Sequence, residues 1–188
     1  DVAAAIIEEE RLTGFTGVPT QSMELVNCDE FKRRDMSSLK SIGGGGSVAP
    51  AKMVSQIHLL GKSPGNGYGL TETSAGIANI GGADWVARPL SCGKITPLMD
   101  ARIVNPEDSL QEVSVGSPGE LCVKGAFVFK EYWNKPEATA KAFYPDDLGR
   151  PRWFRTGDLA TIDADGFITI LDRLKDMVIR GGENVSCA

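Results

Sequence analysis

The sequence predicts a mixed α/β fold, with a partial parallel α/β sheet subdomain followed by a small distorted β-barrel subdomain and a hinge segment. Over residues 1–90, strand-like and helix-like segments alternate, as they do in βαβ units. After Gly93 the helical patterns largely stop, and short strands separated by turn residues follow, which is typical of a small barrel or sandwich. The predicted boundaries are therefore 1–90, 91–171 and 172–188.

The first predicted subdomain combines apolar helix faces with short strands. Met53, Val54, Ile57 and Leu60 recur at helical spacing, and Pro19 stands where the first turn of a helix tolerates proline. The predicted elements, in chain order, are a helix at 1–11, a strand at 13–18, a helix at 19–27, a charged surface stretch at 29–34, a strand at 39–42, a helix at 50–60 and a loop at 61–65.

The second predicted subdomain carries turn sequences at short intervals. Proline, glycine and aspartate cluster at 106–108, 117–119 and 163–166, as they do in β-turns. The predicted strands between these turns cover 101–104, 119–124, 158–163 and 167–171, and a single helix is predicted at 136–143.

Composition excludes several classes of function. A net charge of −5 and a pI near 5.0 argue against non-specific nucleic-acid binding. No apolar run reaches the length of a transmembrane helix. The lone His58 is expected to be a packed or partly exposed helix residue rather than a metal ligand. The four cysteines are scattered and are expected to be free thiols in a reducing compartment: Cys28, Cys92, Cys122 and Cys187.

One stretch concentrates groups that a nucleotide site needs, namely Asn66-Gly-Tyr-Gly-Leu-Thr-Glu-Thr73. The ring of Tyr68 can stack on a base, and its glycine neighbours let the backbone approach a ligand. The hydroxyl of Thr71 can donate to a phosphate oxygen, and Glu72 can hold Mg2+ beside that phosphate. The alternative is a strand end followed by a glycine-containing turn, in which Thr71 or Thr73 caps a helix.

Two further glycine segments are candidates for phosphate or ligand loops. Gly43-Gly-Gly-Gly-Ser47 is either a flexible linker or a strand-to-helix loop in which backbone meets ligand, and its tight framing between a strand and a helix favours the second. Gly61-Lys-Ser63 is similar to the end of a P-loop, but position 56 is Gln where that motif requires glycine. We expect residues 61–63 to form a surface loop.

Two charged residues downstream are candidates for contacts with a nucleotide. Asp158, in Arg155-Thr-Gly-Asp158, can accept both hydroxyls of a ribose, and the alternative is an ordinary turn aspartate. Arg173 can hold phosphate or ribose through its guanidinium fork, and the alternative is an exposed charged turn.

Four motifs occur in the order of one family. Asn66–Thr73 resembles its Tyr-Gly-x-Thr-Glu core, residues 119–125 resemble its Gly-Glu-Leu strand, and Trp153–Asp158 resembles its Thr-Gly-Asp motif. Residues 165–184 resemble its hinge and the loop after it. The chain is similar in this way to the adenylate-forming superfamily of acyl-CoA synthetases, peptide-synthetase adenylation domains and luciferases, with the hinge most like that of acyl-CoA synthetases acting on fatty or aryl acids.

The resemblance implies a two-step reaction. A carboxylic acid and Mg-ATP form acyl-AMP and pyrophosphate, and CoA then displaces AMP to give an acyl-CoA. The roles that it implies for the first subdomain are adenine stacking by Tyr68, contact with the base edge by Asn66 and Gly67, and a loop between adenine and the acyl pocket formed by Gly45, Gly46 and Ser47.

For the rest of the chain, the resemblance implies nucleotide, metal, hinge and CoA contacts. Thr71 would contact the α-phosphate and Glu72 would help to hold Mg2+, so these two are the implied catalytic residues. The other implied roles are ribose binding by Asp158, ribose or phosphate binding by Arg173, hinge rotation at Lys175, and lining of the pantetheine channel by Gly181 and Gly182.

Two departures from the family pattern shape the prediction. Gly46-Ser47 stands where the family commonly has Ala-Pro, which alters a contact of the acyl pocket. Neither the phosphate loop ending in Pro-Lys-Gly nor the catalytic lysine of the C-terminal domain is found among these residues. Because the chain also opens inside a helix at Asp1 without an initiating Met, we expect a central-to-hinge fragment of the large N-terminal domain that is inactive alone.

Two other functions stay open at this stage. An amino-acid-activating adenylation domain would need an acidic residue in the acyl pocket, and a non-catalytic nucleotide-binding module would keep the fold without the reaction. The expected partners are a carboxylic acid, ATP and CoA rather than nucleic acid, and unpaired sheet edges could join two copies. The cytoplasm is the default location, although a mitochondrial or peroxisomal address could lie outside these residues.

Overall fold

The computed structural model describes residues 2–74, 76–108, 111–145, 151–174, 178–180 and 183–185. The chain divides into two compact units. The first comprises Asp1–Tyr68 and Asn79–Gly93, and the second comprises Gly69–Ala78 and Lys94–Ala188. The three predicted subdomain boundaries stay predictions.

The first unit is built on a parallel sheet flanked by helices, as the alternation of elements predicted. Strand β2 pairs in parallel with β1 and with β3, and β4 lies next to β3. The strands are β1 (Gly14–Gly17), β2 (Ser41–Gly45), β3 (Ser63–Tyr68) and β4 (Ala78–Gly81), and the helices are α1 (Val2–Glu9), α2 (Pro19–Asn27), α3 (Asp29–Arg33), α4 (Ala51–Leu59) and α5 (Gly82–Ala87).

Local sequence explains where the helices of this unit begin and which faces they bury. Helix α2 begins at Pro19, and the side-chain oxygen Oε1 of Gln21 accepts a hydrogen bond from the backbone N–H of Val18 at 3.0 Å. Helix α4 buries Met53, Val54 and Ile57, which confirms the predicted apolar face for these three residues. Leu60, predicted on the same face, is 41% exposed because the helix ends at Leu59 and Leu60 is its C-cap. His58 is exposed on the same helix, as a surface helix residue.

Three elements of the first unit differ from the sequence prediction. Residues 29–33 form helix α3 rather than a charged surface stretch. The acidic Asp29 lies at its N-terminus and the basic Arg33 at its C-terminus, where each charge is favourable to the helix dipole. Phe31 anchors this helix in the core with 6% exposure. Strand β2 continues through Gly45, and β3 begins at Ser63, where a loop was predicted.

The glycines of β2 are required by the closeness of its neighbours. A Cβ on Gly43 would lie 2.5 Å from the carbonyl oxygen of Gly65, and one on Gly45 would lie 2.6 Å from that of Gly67. A Cβ on Gly44 would overlap the carbonyl oxygen of Gly17 in β1. The glycine run is therefore a packing requirement of the sheet rather than a linker.

The second unit contains a largely antiparallel sheet. Strand β7 pairs antiparallel with β6 and β9, and β9 pairs antiparallel with β8 and β10. The elements are β5 (Gly93–Ile95), β6 (Met99–Val104), β7 (Gly119–Gly125), α6 (Pro136–Ala142), β8 (Phe143–Pro145), β9 (Pro151–Ile162), β10 (Phe167–Arg173), β11 (Val178–Arg180) and β12 (Glu183–Val185). Strands β11 and β12 form a separate antiparallel pair.

The mixed α/β fold is confirmed, and the sheet of the second unit is open over the described strands. Its path runs from β10 through β9 and β7 to β6. Register shifts between Glu120 and Cys122 and between Ile170 and Asp172 mark irregularities of the kind that bend a sheet. These bends give the distortion expected of a small barrel, but the described strands do not close into one.

A buried ionic group links three strands of this sheet. Glu120 in β7 is 1% exposed, and its carboxylate accepts hydrogen bonds from the guanidinium of Arg155 at 2.8 Å and from the hydroxyl of Tyr144 at 2.8 Å. Burial raises the pKa of the Tyr144 hydroxyl, so that this group remains a donor. The charge of Glu120 is thus compensated by partners from β8 and β9, as a buried carboxylate requires.

The cysteines of the described chain carry no disulfide. Cys28, Cys92 and Cys122 are free, which confirms the prediction for these three, and Cys187 lies outside the described residues. Burial raises the pKa of the Cys122 thiol, so that this group is neutral and unreactive. Within the described ranges, no helix is long and apolar enough to cross a membrane.

The glycine packing of β2 is testable by adding one methyl group. We expect Gly44→Ala to lower the free energy of unfolding by at least about 2 kcal/mol, because the new Cβ would overlap the carbonyl of Gly17. Gly65→Ala is the matched control, since its Cβ would meet only the carbonyl oxygen of Ile80 at 3.8 Å. Urea denaturation followed by circular dichroism measures both variants, and equal transition midpoints would contradict this account.

Candidate functional site

The central motif begins in the first unit and ends in the second. In the first unit, Asn66 pairs with Gly44 and Gly67 pairs with Gly45 in the β2–β3 register. Tyr68 ends β3 and is half-buried. The structure therefore brings four predicted residues, Gly45, Asn66, Gly67 and Tyr68, to the carboxyl ends of two neighbouring parallel strands, where ligands of α/β sheets commonly bind.

The loop that follows β2 carries the other two predicted residues of this unit. Gly46 has φ of +86°, a conformation that favours glycine. Ser47 is exposed beside it. Because β2 takes in Gly43 to Gly45, the predicted glycine loop is confined to the residues after Gly45.

In the second unit, the motif continues as a tight turn closed by Thr73. Residues Thr71–Thr73 form a single turn of 3-10 helix. The hydroxyl of Thr73, which is fully buried, accepts a hydrogen bond from the backbone N–H of Leu70 and donates to the carbonyl of Leu70, both at 3.0 Å. Thr73 therefore closes the 3-10 turn in which it lies rather than capping a following helix, and Thr71 is left exposed on the outside of the turn.

The carboxylate of Glu72 is held by a residue that sequence reasoning missed. The hydroxyl of Tyr132 donates to Oε1 of Glu72 at 2.8 Å across 60 residues of sequence. The backbone N–H of Phe129 donates to the carbonyl of Glu72 at 2.7 Å. Nothing in the local pattern around Tyr132 indicates this partner, because the two residues are far apart in the sequence and neither lies in a strand.

Tyr132 is a reliable donor in this pair. Burial and then the hydrogen bond to Glu72 raise its pKa to about 12. The hydroxyl therefore keeps its proton through the physiological range. Within the described part of the chain, Oε2 of Glu72 accepts no hydrogen bond, so this oxygen is a possible ligand for a hard cation such as Mg2+.

Asp158 and Arg173 lie opposite each other in the β9–β10 register. The guanidinium Nε of Arg173 is 3.2 Å from Oδ1 of Asp158, whose side chain is 3% exposed. The Thr-Gly-Asp turn around Asp158 is also fixed, because Thr156 Oγ1 accepts from the backbone N–H of Asp158 at 3.1 Å and donates to the carbonyl of Leu121 at 2.8 Å. The two predicted ribose contacts are thus brought together.

The predicted hinge and CoA-channel residues, Lys175, Gly181 and Gly182, lie outside the described residues. Leu174, the last described residue before Lys175, donates its backbone N–H to the carbonyl of Gly157 at 2.9 Å. The described chain contains no group of three or more histidine, cysteine, aspartate or glutamate side chains that could hold a metal ion.

Comparison with known proteins identifies the class to which this arrangement belongs. The mixed α/β fold and the ordered motifs are those of the adenylate-forming enzymes, as their resemblance indicated. Residues 1–133 match the family model described as AMP-binding enzyme. The chain therefore belongs to the AMP-binding enzyme family.

Curated relatives cover nearly all of this chain. A feruloyl-CoA synthase from Amycolatopsis sp is 37% identical over 179 residues, which are 95% of this chain and 35% of the relative. A long-chain-fatty-acid–CoA ligase from Escherichia coli O157:H7 is 40% identical over 174 residues, which are 92% of this chain and 29% of the relative. The chain spans about a third of the length of these relatives.

The fold of the chain is also similar to that of a solved structure. The o-succinylbenzoate CoA synthetase from Bacillus subtilis, solved in complex with an acyl-adenylate intermediate, is 30% identical. Its TM-score is 0.85 over 98% of this chain and 36% of that protein. The similarity therefore extends across both units of the chain.

The two threonines of the turn have different predicted roles: Thr73 stabilises the fold, and Thr71 is the candidate ligand contact. Thr73→Val should lower the free energy of unfolding by about 1–2 kcal/mol, because the half-buried N–H of Leu70 loses its acceptor. Thr71→Val changes an exposed residue and should alter the free energy of unfolding by less than about 0.5 kcal/mol. Thermal unfolding of both variants measures this difference, and a larger loss in the Thr71 variant would refute the assignment.

Proposed function

We propose that this chain is the nucleotide-binding part of an AMP-forming acid–thiol ligase. A carboxylic acid and ATP form acyl-AMP and pyrophosphate, and CoA then takes the acyl group and releases AMP. The observation that carries the proposal is that two relatives named as CoA ligases or synthases align with more than nine tenths of the chain. Their names favour a fatty or aryl acid as the substrate class.

In the first unit, we assign the adenine end of the nucleotide to the carboxyl ends of β2 and β3. Tyr68 would stack on the base, while Asn66 and Gly67 would lie along its edge. Gly45, Gly46 and Ser47 would separate the base from the acyl group. The support is chemical, because Gly45 and Gly67 pair at this edge without side chains, so that a flat ligand can approach their backbone closely.

In the second unit, the proposed roles concern phosphate, metal and ribose. Thr71 is exposed and would donate its hydroxyl to the α-phosphate. Asp158 would accept the ribose hydroxyls, and Arg173, paired with it at 3.2 Å, would contact ribose or phosphate. These groups would stabilise the charge that develops when the acid attacks the α-phosphorus.

Mg2+ fits the donor that this chain offers. Magnesium in ATP-dependent enzymes commonly takes one or two carboxylates from the protein and its remaining ligands from phosphates and water. Glu72 supplies one carboxylate, of which Oε1 is engaged by Tyr132 and Oε2 is open within the described chain. When bound, the ion would neutralise phosphate charge, and Glu72 would be the residue that holds it.

The second half-reaction would use residues beyond the described ranges. Lys175 would be the hinge, and Gly181 and Gly182 would line the CoA channel. The 188 residues alone are not expected to catalyse ATP–pyrophosphate exchange, because the family's phosphate loop and catalytic lysine are not among them.

The free cysteines suit a reducing compartment, and we propose that the protein is cytoplasmic.

Calorimetric titration of the chain with AMP and with a non-hydrolysable acyl-AMP analogue tests this proposal. We expect both ligands to bind, and Tyr68→Ala to weaken both by about tenfold or more, because base stacking contributes about 1–3 kcal/mol. Trp133→Ala is the control, since it removes an aromatic side chain that is 84% exposed and lies outside the motif.

Three outcomes of the titration would contradict the proposal. Equal affinity of the Tyr68 and wild-type chains for AMP would refute the stacking role. Equal weakening by the Trp133 and Tyr68 substitutions would show that the loss is not specific to the motif. A wild-type chain that binds neither ligand would refute nucleotide binding by this part of the protein.

A further inference from the structure

Glu72 is attached at two points to one short segment of the second unit, residues 129–132. The backbone N–H of Phe129 holds the carbonyl of Glu72 at 2.7 Å, and the hydroxyl of Tyr132 holds its carboxylate at 2.8 Å. Both the main chain and the side chain of Glu72 are therefore fixed by the same segment. A single-turn 3-10 helix would not restrict the carboxylate in this way, because its glutamate side chain has several free rotations.

The segment is itself held in place by aromatic packing. The ring centroid of Phe129 is 4.7 Å from that of Tyr132, 5.3 Å from that of Phe143 and 5.4 Å from that of Phe154. Phe143 belongs to β8 and Phe154 to β9, so the segment rests on the sheet. Packed aromatic rings have few alternative positions.

Helix α6 provides a second restraint on Tyr132. The backbone N–H of Tyr132 donates to Oγ1 of Thr139 at 3.0 Å. The same hydroxyl donates to the carbonyl of Lys135 at 2.9 Å, so its orientation is set by the first turn of the helix. The ring and the backbone of Tyr132 are thus fixed independently of Glu72.

We propose that Tyr132 is a positioning residue for the metal-binding carboxylate, with its hydroxyl holding Oε1 of Glu72 so that Oε2 is presented to nucleotide-bound Mg2+. This inference rests on the proposed function. Partners in the outer shell of a metal site commonly orient the ligand and contribute tenfold or more in metal affinity. An oriented carboxylate also loses less conformational entropy when the ion binds.

A different result would be expected if the hydrogen bond from Tyr132 to Glu72 were purely structural. It would change the stability of the turn and the binding of any nucleotide equally, with or without metal. A positioning role changes the metal-dependent part of binding and leaves the metal-free part alone. The measured quantity is therefore the ratio of two dissociation constants for ATP, one in EDTA and one in Mg2+.

Tyr132→Phe is the test variant and Tyr144→Phe is the matched control. Each loses one hydroxyl that donates to a glutamate carboxylate at 2.8 Å within the same unit, Glu72 in one case and Glu120 in the other. We expect Tyr132→Phe to reduce the ratio about tenfold, which corresponds to about 1.4 kcal/mol, with its EDTA value unchanged. Tyr144→Phe should keep the wild-type ratio.

Glu72→Gln separates this inference from the proposed function. We expect it to remove the effect of Mg2+, and Tyr132→Phe to have no further effect in that background, because the two residues act through one contact. A Tyr132→Phe ratio equal to the wild-type ratio, while Glu72→Gln loses the effect, would overturn the positioning role and leave the metal role of Glu72 intact.

A wild-type chain whose ATP affinity does not respond to Mg2+ would overturn both the metal role of Glu72 and this inference, while AMP binding would remain as evidence for the nucleotide site. Thr139→Val gives a second test if Tyr132→Phe does not fold. It releases the backbone of Tyr132 without removing the hydroxyl that contacts Glu72, and we expect a smaller loss in the same ratio. An unchanged ratio in that folded variant would count against the positioning role.

Discussion

The approach of β2 to its neighbours is the constraint on which the first unit depends. Hydrogen-bonded strands normally leave room for Cβ atoms on both faces. Here the space that a Cβ on Gly43, Gly44 or Gly45 would need is already filled by the backbone of β1 or β3. This packing brings Gly45 and Gly67 side by side at the sheet's carboxyl edge. The same glycines that let the strands pack therefore also clear side chains from the edge where we place the nucleotide base.

A different constraint governs the second unit, where carboxylates are buried or half-buried within the sheet and its connections. Glu120 is compensated by Arg155 and Tyr144, Asp158 is paired with Arg173, and Glu72 accepts from Tyr132. Removing a carboxylate from water costs free energy unless the group is paired. The hydrogen bonds that provide this pairing also fix the orientation of each carboxylate. The network at Glu120 links strands, whereas the pairs at Asp158 and Glu72 lie at residues that the family motifs single out.

Sequence reasoning succeeded where the signal was local. Pro19 marked the start of α2, and the motif ending in Thr73 indicated a strand end followed by a turn. It did not find that β2 continues through its glycines, because glycine normally weakens a strand, and only the proximity of Gly17 and Gly65 makes it necessary. Tyr132 was missed for a related reason, since its partner is 60 residues away and no spacing rule connects them.

This contrast shows how the candidate site is specified. A motif determines which chemical groups are present, because a carboxylate, a hydroxyl and a ring must occur at particular positions along one turn. The orientation of those groups comes from distant residues. The β9–β10 register sets Arg173 against Asp158. Phe129, which packs on rings of β8 and β9, holds Tyr132 beside Glu72. If the proposed function holds, residues outside the motifs therefore tune metal and nucleotide affinity while the motifs themselves stay unchanged.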